Sequence, residues 1–153
     1  MVGIIGVGQM GGGLTSALLR EFFDVTVFDV DEAKVRAAAR RGAVIAPTVA
    51  DLVLSCDPVL LSLPKSQILV EVMEAEVIPS LSPGQTVIDL GTTVIRETRR
   101  LSAAVDTKGG VFIDAPVSGG NVGSAAVSLF IFAAGDRDAC NALWPLLGVL
   151  GGG

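Results

Sequence analysis

Three glycines near the amino terminus have the spacing of a phosphate-binding turn. The segment "GVGQMG" is a G-x-G-x-x-G pattern that follows an apolar run and opens a helix-like segment. In that context the first glycine permits a tight turn, the second lets a pyrophosphate approach the backbone, and the third lets helix and strand pack closely. Free N–H groups at the helix start then hold the phosphate charge. A glycine-rich turn without a ligand is the alternative. The residues predicted to bind the phosphates are Gly6, Val7, Gly8, Gln9, Met10 and Gly11.

An aspartate at the end of the second apolar run completes this pattern. Asp29 follows the glycines by about 20 positions, which is the spacing of the acidic residue that binds the ribose in dinucleotide-binding folds. Its carboxylate can accept hydrogen bonds from the 2′- and 3′-hydroxyls, whereas a 2′-phosphate would meet like charge there. Asp31 and Glu32 add to that repulsion, and no arginine follows Asp29 directly. The sequence therefore favours NAD over NADP. Asp31 is also predicted to be the N-cap of the helix that follows.

A second glycine segment, "FIDAPVSGG", lies near the other end of the chain. An apolar run leads into Asp114, and the segment finishes with Ser118, Gly119 and Gly120. Backbone amides without Cβ atoms beside them form a natural binding site for anions. The segment therefore predicts a place where bare backbone approaches a ligand, and a tight turn between strands is the alternative.

Alternating strand-like and helix-like segments must position these residues. The short connections between them indicate βαβ units and a mostly parallel sheet with helices on both faces. We therefore predict one α/β, doubly wound, Rossmann-type dinucleotide-binding domain over residues 1–153. The predicted strands are 2–8, 24–30, 43–46, 57–64, 85–91, 111–116 and 126–136. The predicted helices are 12–22, 31–43, 48–56, 65–81, 93–110 and 136–147.

Composition excludes several classes of function. Half of the residues are hydrophobic, yet no apolar stretch has the length of a membrane-spanning helix, so a sheet buried on both faces explains the composition better. A net charge of −5 argues against nucleic acid as a partner. Cys56 and Cys140 lack the spacing of a metal or redox motif and are interpreted as free thiols of a cytoplasmic protein.

The residue types that are missing limit the chemistry of this chain. It contains no histidine and no tyrosine, so an acid or base of either type is excluded within it. Its lysines are Lys34, Lys65 and Lys108. Lys65 directly follows a strand end, and we interpret it as a solvated residue at a helix start rather than as a catalytic group.

These motifs together resemble the β-hydroxyacid dehydrogenase family, which includes 3-hydroxyisobutyrate dehydrogenase and is related to 6-phosphogluconate dehydrogenase. The resemblance covers nearly the whole chain. It rests on Met10 in the glycine turn, on Leu63–Pro64 at a strand end, and on the D-x-G-T segment that contains Asp89 and Thr92. The most specific motif is "DAPVSGG", residues 114–120.

The resemblance implies roles for several residues. Ser118, Gly119 and Gly120 would bind the substrate carboxylate, while Leu63, Pro64 and Thr92 would lie near the nicotinamide. It also implies a C-terminal, all-helical domain that supplies the catalytic lysine beyond Gly153. We therefore expect residues 1–153 to bind NAD and the carboxylate of a small 3-hydroxy acid or semialdehyde, but to be inactive alone.

Two alternatives remain open at this point. The chain could be a non-enzymatic module that binds a dinucleotide or a partner, or a fragment that resembles an imine reductase. In each case the surface that the helical domain would cover predicts self-association or a partner chain, because exposed apolar patches mark interaction sites.

Overall fold

A parallel sheet of six strands forms the centre of the molecule. The computed structural model describes residues 1–118 and 129–151. The strands pair in parallel in the order β3-β2-β1-β4-β5-β6. They are β1 (Val2–Ile5), β2 (Val25–Phe28), β3 (Val44–Ile45), β4 (Val59–Leu61), β5 (Thr86–Asp89) and β6 (Val111–Asp114).

Helices cover both faces of this sheet. They are α1 (Gln9–Arg20), α2 (Glu32–Ala39), α3 (Val49–Ser55), α4 (Ser66–Val72), α5 (Ile78–Ser80), α6 (Ile95–Thr107), α7 (Arg137–Ala142) and α8 (Trp144–Leu150). One layer contains α1, α2 and α8, and the other contains α3, α6 and the long helical segment between β4 and β5. That segment begins as α4, continues through a π-helical stretch (Met73–Val77) and ends as α5.

The strands are apolar on both sides because each side faces a hydrophobic core. Ile4 and Leu60 belong to the core beneath α1, whereas their neighbours Ile5 and Leu61 belong to the core beneath α3. Successive side chains of a strand point to opposite faces, so a strand buried on both faces shows no polar alternation. The predicted doubly wound α/β fold is confirmed.

The strand order indicates where a ligand would bind along the edge of the sheet. The order in which strands are added reverses between β1 and β4, because β2 and β3 lie on one side of β1 while β4, β5 and β6 lie on the other. In open sheets of this type, ligands bind outside the carboxyl ends of the strands at such a switch point. The glycine turn after β1 and the Leu63–Pro64 corner after β4 flank that point.

Three predicted elements need correction. The strand predicted over 126–136 is shorter: residues 126–128 lie outside the described part of the chain, and β8 (Phe130–Ile131) pairs antiparallel with β7 (Val117–Ser118) in a separate small sheet. Parallel pairing of two consecutive strands would need a crossover connection of about a dozen residues or more, usually a helix. The first helix begins at Gln9 rather than Gly12, and the helix predicted over 136–147 is divided at Leu143.

The predicted cap of α2 is confirmed. The Asp31 side chain caps α2 by accepting a hydrogen bond from the Ala33 N–H at 3.0 Å. Cys56 and Cys140 are both free thiols. Within residues 1–118 and 129–151, no helix is both long enough and apolar enough to cross a membrane.

Candidate cofactor-binding site

Two glycines of the turn after β1 are required by packing. Gly6 has a φ of +91°, a backbone conformation that glycine adopts without steric cost, and a Cβ there would lie 2.3 Å from the carbonyl oxygen of Ser62. A Cβ at Gly11 would lie 1.9 Å from the carbonyl oxygen of Gly6. Gly6 therefore permits the turn, and Gly11 permits α1 to approach it closely.

Gly8 differs from both of these glycines. Its φ of −63° suits any residue, and a Cβ there would meet no protein atom within 4 Å. Packing within the protein therefore does not require glycine at this position. Gly8 lines an open cavity, so the missing side chain leaves room for a ligand against the backbone.

The amino terminus of α1 is free to bind an anion. Gly8 is its N-cap and offers no side chain to the first amides, and the first turn contains no acidic residue. The hydrogen bond from the Gly12 N–H to the Gly8 carbonyl, 2.8 Å long, is the first of the helix. The preceding amides have no helical partner and give this helix end a partial positive charge. The geometry fits a pyrophosphate.

Asp29 connects the end of β2 to the glycine turn. One carboxylate oxygen accepts a hydrogen bond from the Val7 N–H at 2.8 Å, and the other accepts one from the Asp31 N–H at 2.9 Å. An ionised carboxylate offers about four acceptor positions, so two remain for other donors. The half-buried Asp29 also lines the cavity, where ribose hydroxyls could supply those donors.

The cavity at the switch point has a volume of about 480 Å³. Of the residues predicted to bind the cofactor, Val7 and Thr92 do not line it. Val7 is buried, and its N–H is bound to Asp29. Thr92 is exposed, and its carbonyl accepts a 3.4 Å hydrogen bond from the Ser66 hydroxyl. The predicted residues that line the cavity are Gly6, Gly8, Gln9, Met10, Gly11, Asp29, Leu63 and Pro64.

Sequence reasoning missed the second wall of the cavity. Val49 at the start of α3 lies there, together with Ile68, Val72 and Glu76 from the helical segment after β4. Lys34 from α2 also lines the cavity. Ile68, Val72 and Glu76 are spaced four residues apart, which places them on one helix face. This face is separate from the buried face of the same segment, which is formed by Leu69, Met73 and Val77. The spacing is therefore the sequence signal that could have revealed them.

The predicted carboxylate-binding segment is only partly described. Ser118 is exposed at the end of β7, where it pairs with Phe130 of β8. Gly119 and Gly120 lie outside the described residues. Ser118 does not line the cofactor cavity. Its predicted role as a substrate ligand remains a prediction.

Two carboxyl groups lie side by side at the ends of β5 and β6. Asp89 and Asp114 are register partners in the parallel ladder. Burial raises the pKa of Asp89, and the charge of Asp114 raises it further, while hydrogen bonds from the Thr93 hydroxyl and the Gly91 N–H act in the opposite direction. Burial also raises the pKa of Asp114. The aspartate of the D-x-G-T motif thus anchors the loop after β5 through Gly91 and Thr93.

Among the described residues, the ionisable groups that line the cavity are Asp29, Lys34 and Glu76. Lys65 is exposed at the N-cap of α4 and does not line it. Lys108 follows α6 and precedes β6, so it lies at the opposite, amino-terminal edge of the sheet. Among the residues that the structure describes, no cluster of His, Cys, Asp and Glu could hold a metal ion.

A doubly wound sheet with an uncapped glycine turn at its switch point defines a dinucleotide-binding domain. The chain belongs to the family described as the NAD-binding domain of 6-phosphogluconate dehydrogenase, whose model matches residues 1–152. The resemblance to the β-hydroxyacid dehydrogenases is thereby confirmed.

Individual relatives agree with this assignment. The chain is 31% identical to the NAD-dependent L-serine dehydrogenase of Pseudomonas aeruginosa, over 98% of this chain and 51% of the relative. A solved structure of Psf3 in complex with NADP+ and 2-OPP superposes with a TM-score of 0.94 at 30% identity, covering 99% of this chain and 54% of the other.

The Mycobacterium tuberculosis 3-hydroxyisobutyrate dehydrogenase with L-serine superposes with a TM-score of 0.91 at 27% identity, covering 99% of this chain and 52% of that one. The chain therefore spans about half the length of the curated relative and of both solved structures.

Proposed function

We propose that this domain binds NAD and forms the cofactor-binding half of a 3-hydroxy acid dehydrogenase or semialdehyde reductase. The observation that carries the proposal is Gly8, whose glycine identity serves no packing purpose and whose open side faces the cavity. The names of the relatives support the substrate class, because L-serine is itself a 3-hydroxy acid.

Different residues of the site would bind different parts of the dinucleotide. The amides that open α1 would hold the pyrophosphate, and Asp29 would accept the ribose hydroxyls. Leu63, Pro64 and Thr92, at the carboxyl ends of β4 and β5, would bound the nicotinamide. Bound nicotinamide supplies the hydride chemistry, while the protein orients it.

The carboxylate of the substrate would bind at Ser118, Gly119 and Gly120. This proposal rests on the "DAPVSGG" motif and on the position of β7, which follows β6 beyond the carboxyl edge of the sheet. A serine hydroxyl and backbone amides are suitable donors to a carboxylate.

The proposed preference for NAD depends on the charges around the adenosine ribose. Asp29, Asp31 and Glu32 would repel a 2′-phosphate. Lys34 acts in the opposite direction because it lines the same cavity, and its ion pair with Asp31, at 3.7 Å, is half exposed. Exposed pairs of this kind contribute little, so Lys34 can leave Asp31 at low cost.

Residues 1–153 would form a single domain that transfers no hydride alone. Removal of a proton from a substrate hydroxyl needs an acid or base close to that oxygen. The sequence has no histidine or tyrosine, and Lys65 and Lys108 lie outside the cavity. Lys34 lines the cavity on the β2 side, at the end away from Leu63 and Pro64. We therefore propose that this group comes from outside these residues.

A binding module without catalysis is a second candidate, favoured by an exposed aromatic face. Phe130, Phe132 and Trp144 are 59%, 64% and 66% exposed. The last two line a groove of about 640 Å³ between β8 and α8. Such a surface suits a partner chain or a second copy.

The test is a titration of the 153-residue chain with NADH and with NADPH, followed by nicotinamide fluorescence and thermal shift. Saturable binding, tighter for NADH, is expected. Absence of binding by both would overturn the proposal, and tighter NADPH binding would overturn the preference. Turnover of L-serine with NAD by this chain alone would contradict the proposed inactivity.

A further inference from the structure

The residues that line the cavity indicate which of its ends would hold the adenosine. The glycine turn lies at its middle, Leu63 and Pro64 lie on the β4 side, and Asp29, Val30 and Lys34 lie on the β2 side. If the dinucleotide binds as proposed, Asp29 marks the adenosine ribose, and the adenine ring lies next to it. This placement of the adenosine rests on the proposed function.

Apolar side chains on both sides of this end suit a flat aromatic ring. Val30 lines the cavity although its side chain is 94% exposed, which is unusual for valine and leaves it free to cover a ligand. Val49, Ile68 and Val72 form the facing wall. These residues would bury the faces of a purine but would not distinguish one purine from another.

The polar group on that facing wall is Glu76. It lies four residues after Val72, within the π-helical stretch Met73–Val77. A π-helical turn contains more residues than an α-helical turn, so Glu76 stays on the face that carries Ile68 and Val72. Among the described residues, the Glu76 carboxylate has no hydrogen-bond or ion-pair partner, whereas its neighbour Glu74 pairs with Arg100. Glu76 is therefore available to a ligand.

We propose that Glu76 recognises the adenine base by accepting a hydrogen bond from its 6-amino group. An ionised carboxylate only accepts hydrogen bonds. Adenine presents a donor at carbon 6, whereas hypoxanthine presents a carbonyl oxygen there, which the carboxylate repels, and has its neighbouring donor at N1 instead. Glu76 would thus be a specificity-determining residue that selects adenine dinucleotides over those of 6-oxopurines.

The test compares NADH with reduced nicotinamide hypoxanthine dinucleotide, which has an oxygen at carbon 6 and a hydrogen on N1 but carries the same fluorescent nicotinamide. The wild-type domain should bind NADH roughly tenfold more tightly, as expected for one hydrogen bond to a charged group. In Glu76→Gln the ratio should fall close to one, because an amide can donate to the hypoxanthine oxygen as well as accept from adenine.

Glu71→Gln is the matched control. Glu71 lies on the same helical segment but lines a different groove, so its substitution should leave the ratio unchanged. Equal melting temperatures of the two variants would show that both fold. If both dinucleotides bind but wild type and Glu76→Gln give the same ratio, the role of Glu76 is overturned while the proposed function stands. If neither dinucleotide binds the wild-type domain, the proposed function itself fails.

Discussion

The Asp29 carboxylate accepts a hydrogen bond from the Val7 N–H at 2.8 Å and so ties the end of β2 to the turn after β1. Asp29 therefore has a structural role in the ligand-free domain. This role follows from the strand order, since β1 and β2 are neighbours and their carboxyl ends meet at one edge of the sheet. A substitution of Asp29 should affect the free domain as well as cofactor binding.

Asp29→Ala should lower the free energy of unfolding of the ligand-free domain by about 1–3 kcal/mol, because the Val7 N–H loses its acceptor. Urea denaturation without cofactor measures this. Asp24→Ala is the control, because the exposed Asp24 side chain has no hydrogen-bond partner among the described residues. Unchanged stability in Asp29→Ala would mean that water replaces the carboxylate at no cost.

Gly8→Ala should weaken NADH binding by about tenfold or more, equivalent to at least ~1.4 kcal/mol, and leave the fold intact. The added methyl group meets no protein atom within 4 Å but enters the space beside the backbone. Fluorescence titration and a thermal melt measure the two effects. Gly148→Ala, which also meets no atom within 4 Å and lies outside this cavity, should leave binding unchanged.

Gly11→Ala should behave differently from Gly8→Ala. Its Cβ would lie 1.9 Å from the Gly6 carbonyl oxygen, so the turn and α1 must move apart. Overpacking of this kind typically costs about 1–3 kcal/mol, and we expect a loss of stability at the upper end of that range. Equal melting temperatures for the two variants would contradict the distinction between the packing glycines and the ligand-facing glycine.

Lys34→Gln should weaken NADPH binding roughly tenfold while changing NADH binding much less, because only NADPH carries a 2′-phosphate for the ammonium group to bind. The ratio of the two dissociation constants is the measurement. Lys65→Gln is the control for loss of one positive charge, because Lys65 is exposed and outside the cavity. If both lysine variants change the ratio equally, long-range charge rather than contact is responsible.

The pair Asp89 and Asp114 should make stability depend on pH. The pKa of Asp89 is raised in the folded state, so that state holds its proton more tightly than the unfolded chain does. Its contribution is therefore fully present below the ordinary aspartate pKa, about 3.9, and is lost as pH rises through the raised folded value. Asp89→Asn should flatten this decline, measured by urea denaturation between acid and neutral pH. An unchanged difference between wild type and variant across that range would contradict the shift.

Trp144→Ser should reduce self-association of the domain, since the exposed indole lines the groove between β8 and α8. Light scattering coupled to size-exclusion chromatography over a range of concentrations measures the effect. Phe22→Ser is the control, because Phe22 is 95% exposed but does not line this groove. A wild-type chain that stays monomeric at high concentration would contradict self-association through this face.

Much of the fold was predictable because its signals are local. The alternation of apolar runs with helical segments predicted each strand of the parallel sheet, and Asp31 was predicted as the α2 cap from its residue type and position. The small β7–β8 sheet was not predicted. An apolar run such as that before Ala134 does not indicate which strand it pairs with or whether the pairing is parallel, because both depend on the connection between the two strands.

The candidate site was predictable on one wall only. Gly6, Gly11 and Asp29 belong to a motif with a known spacing, and the structure places them together at the switch point. Glu76 and Lys34 have no such motif. They reach the cavity because separate helices pack against the same sheet edge. The four-residue spacing of Ile68, Val72 and Glu76 marks one helix face, but it does not indicate which other element that face lies against.

The sequence by itself determined a doubly wound dinucleotide-binding domain with a glycine turn at residues 6–11, because turns, caps and buried strands depend on neighbouring residues. Only the tertiary structure decided that Gly8 alone among the motif glycines faces open space, and that Asp29 binds the Val7 amide. Those relations depend on distances between elements that are far apart along the chain, and these distances are set only when the helices and the sheet pack together.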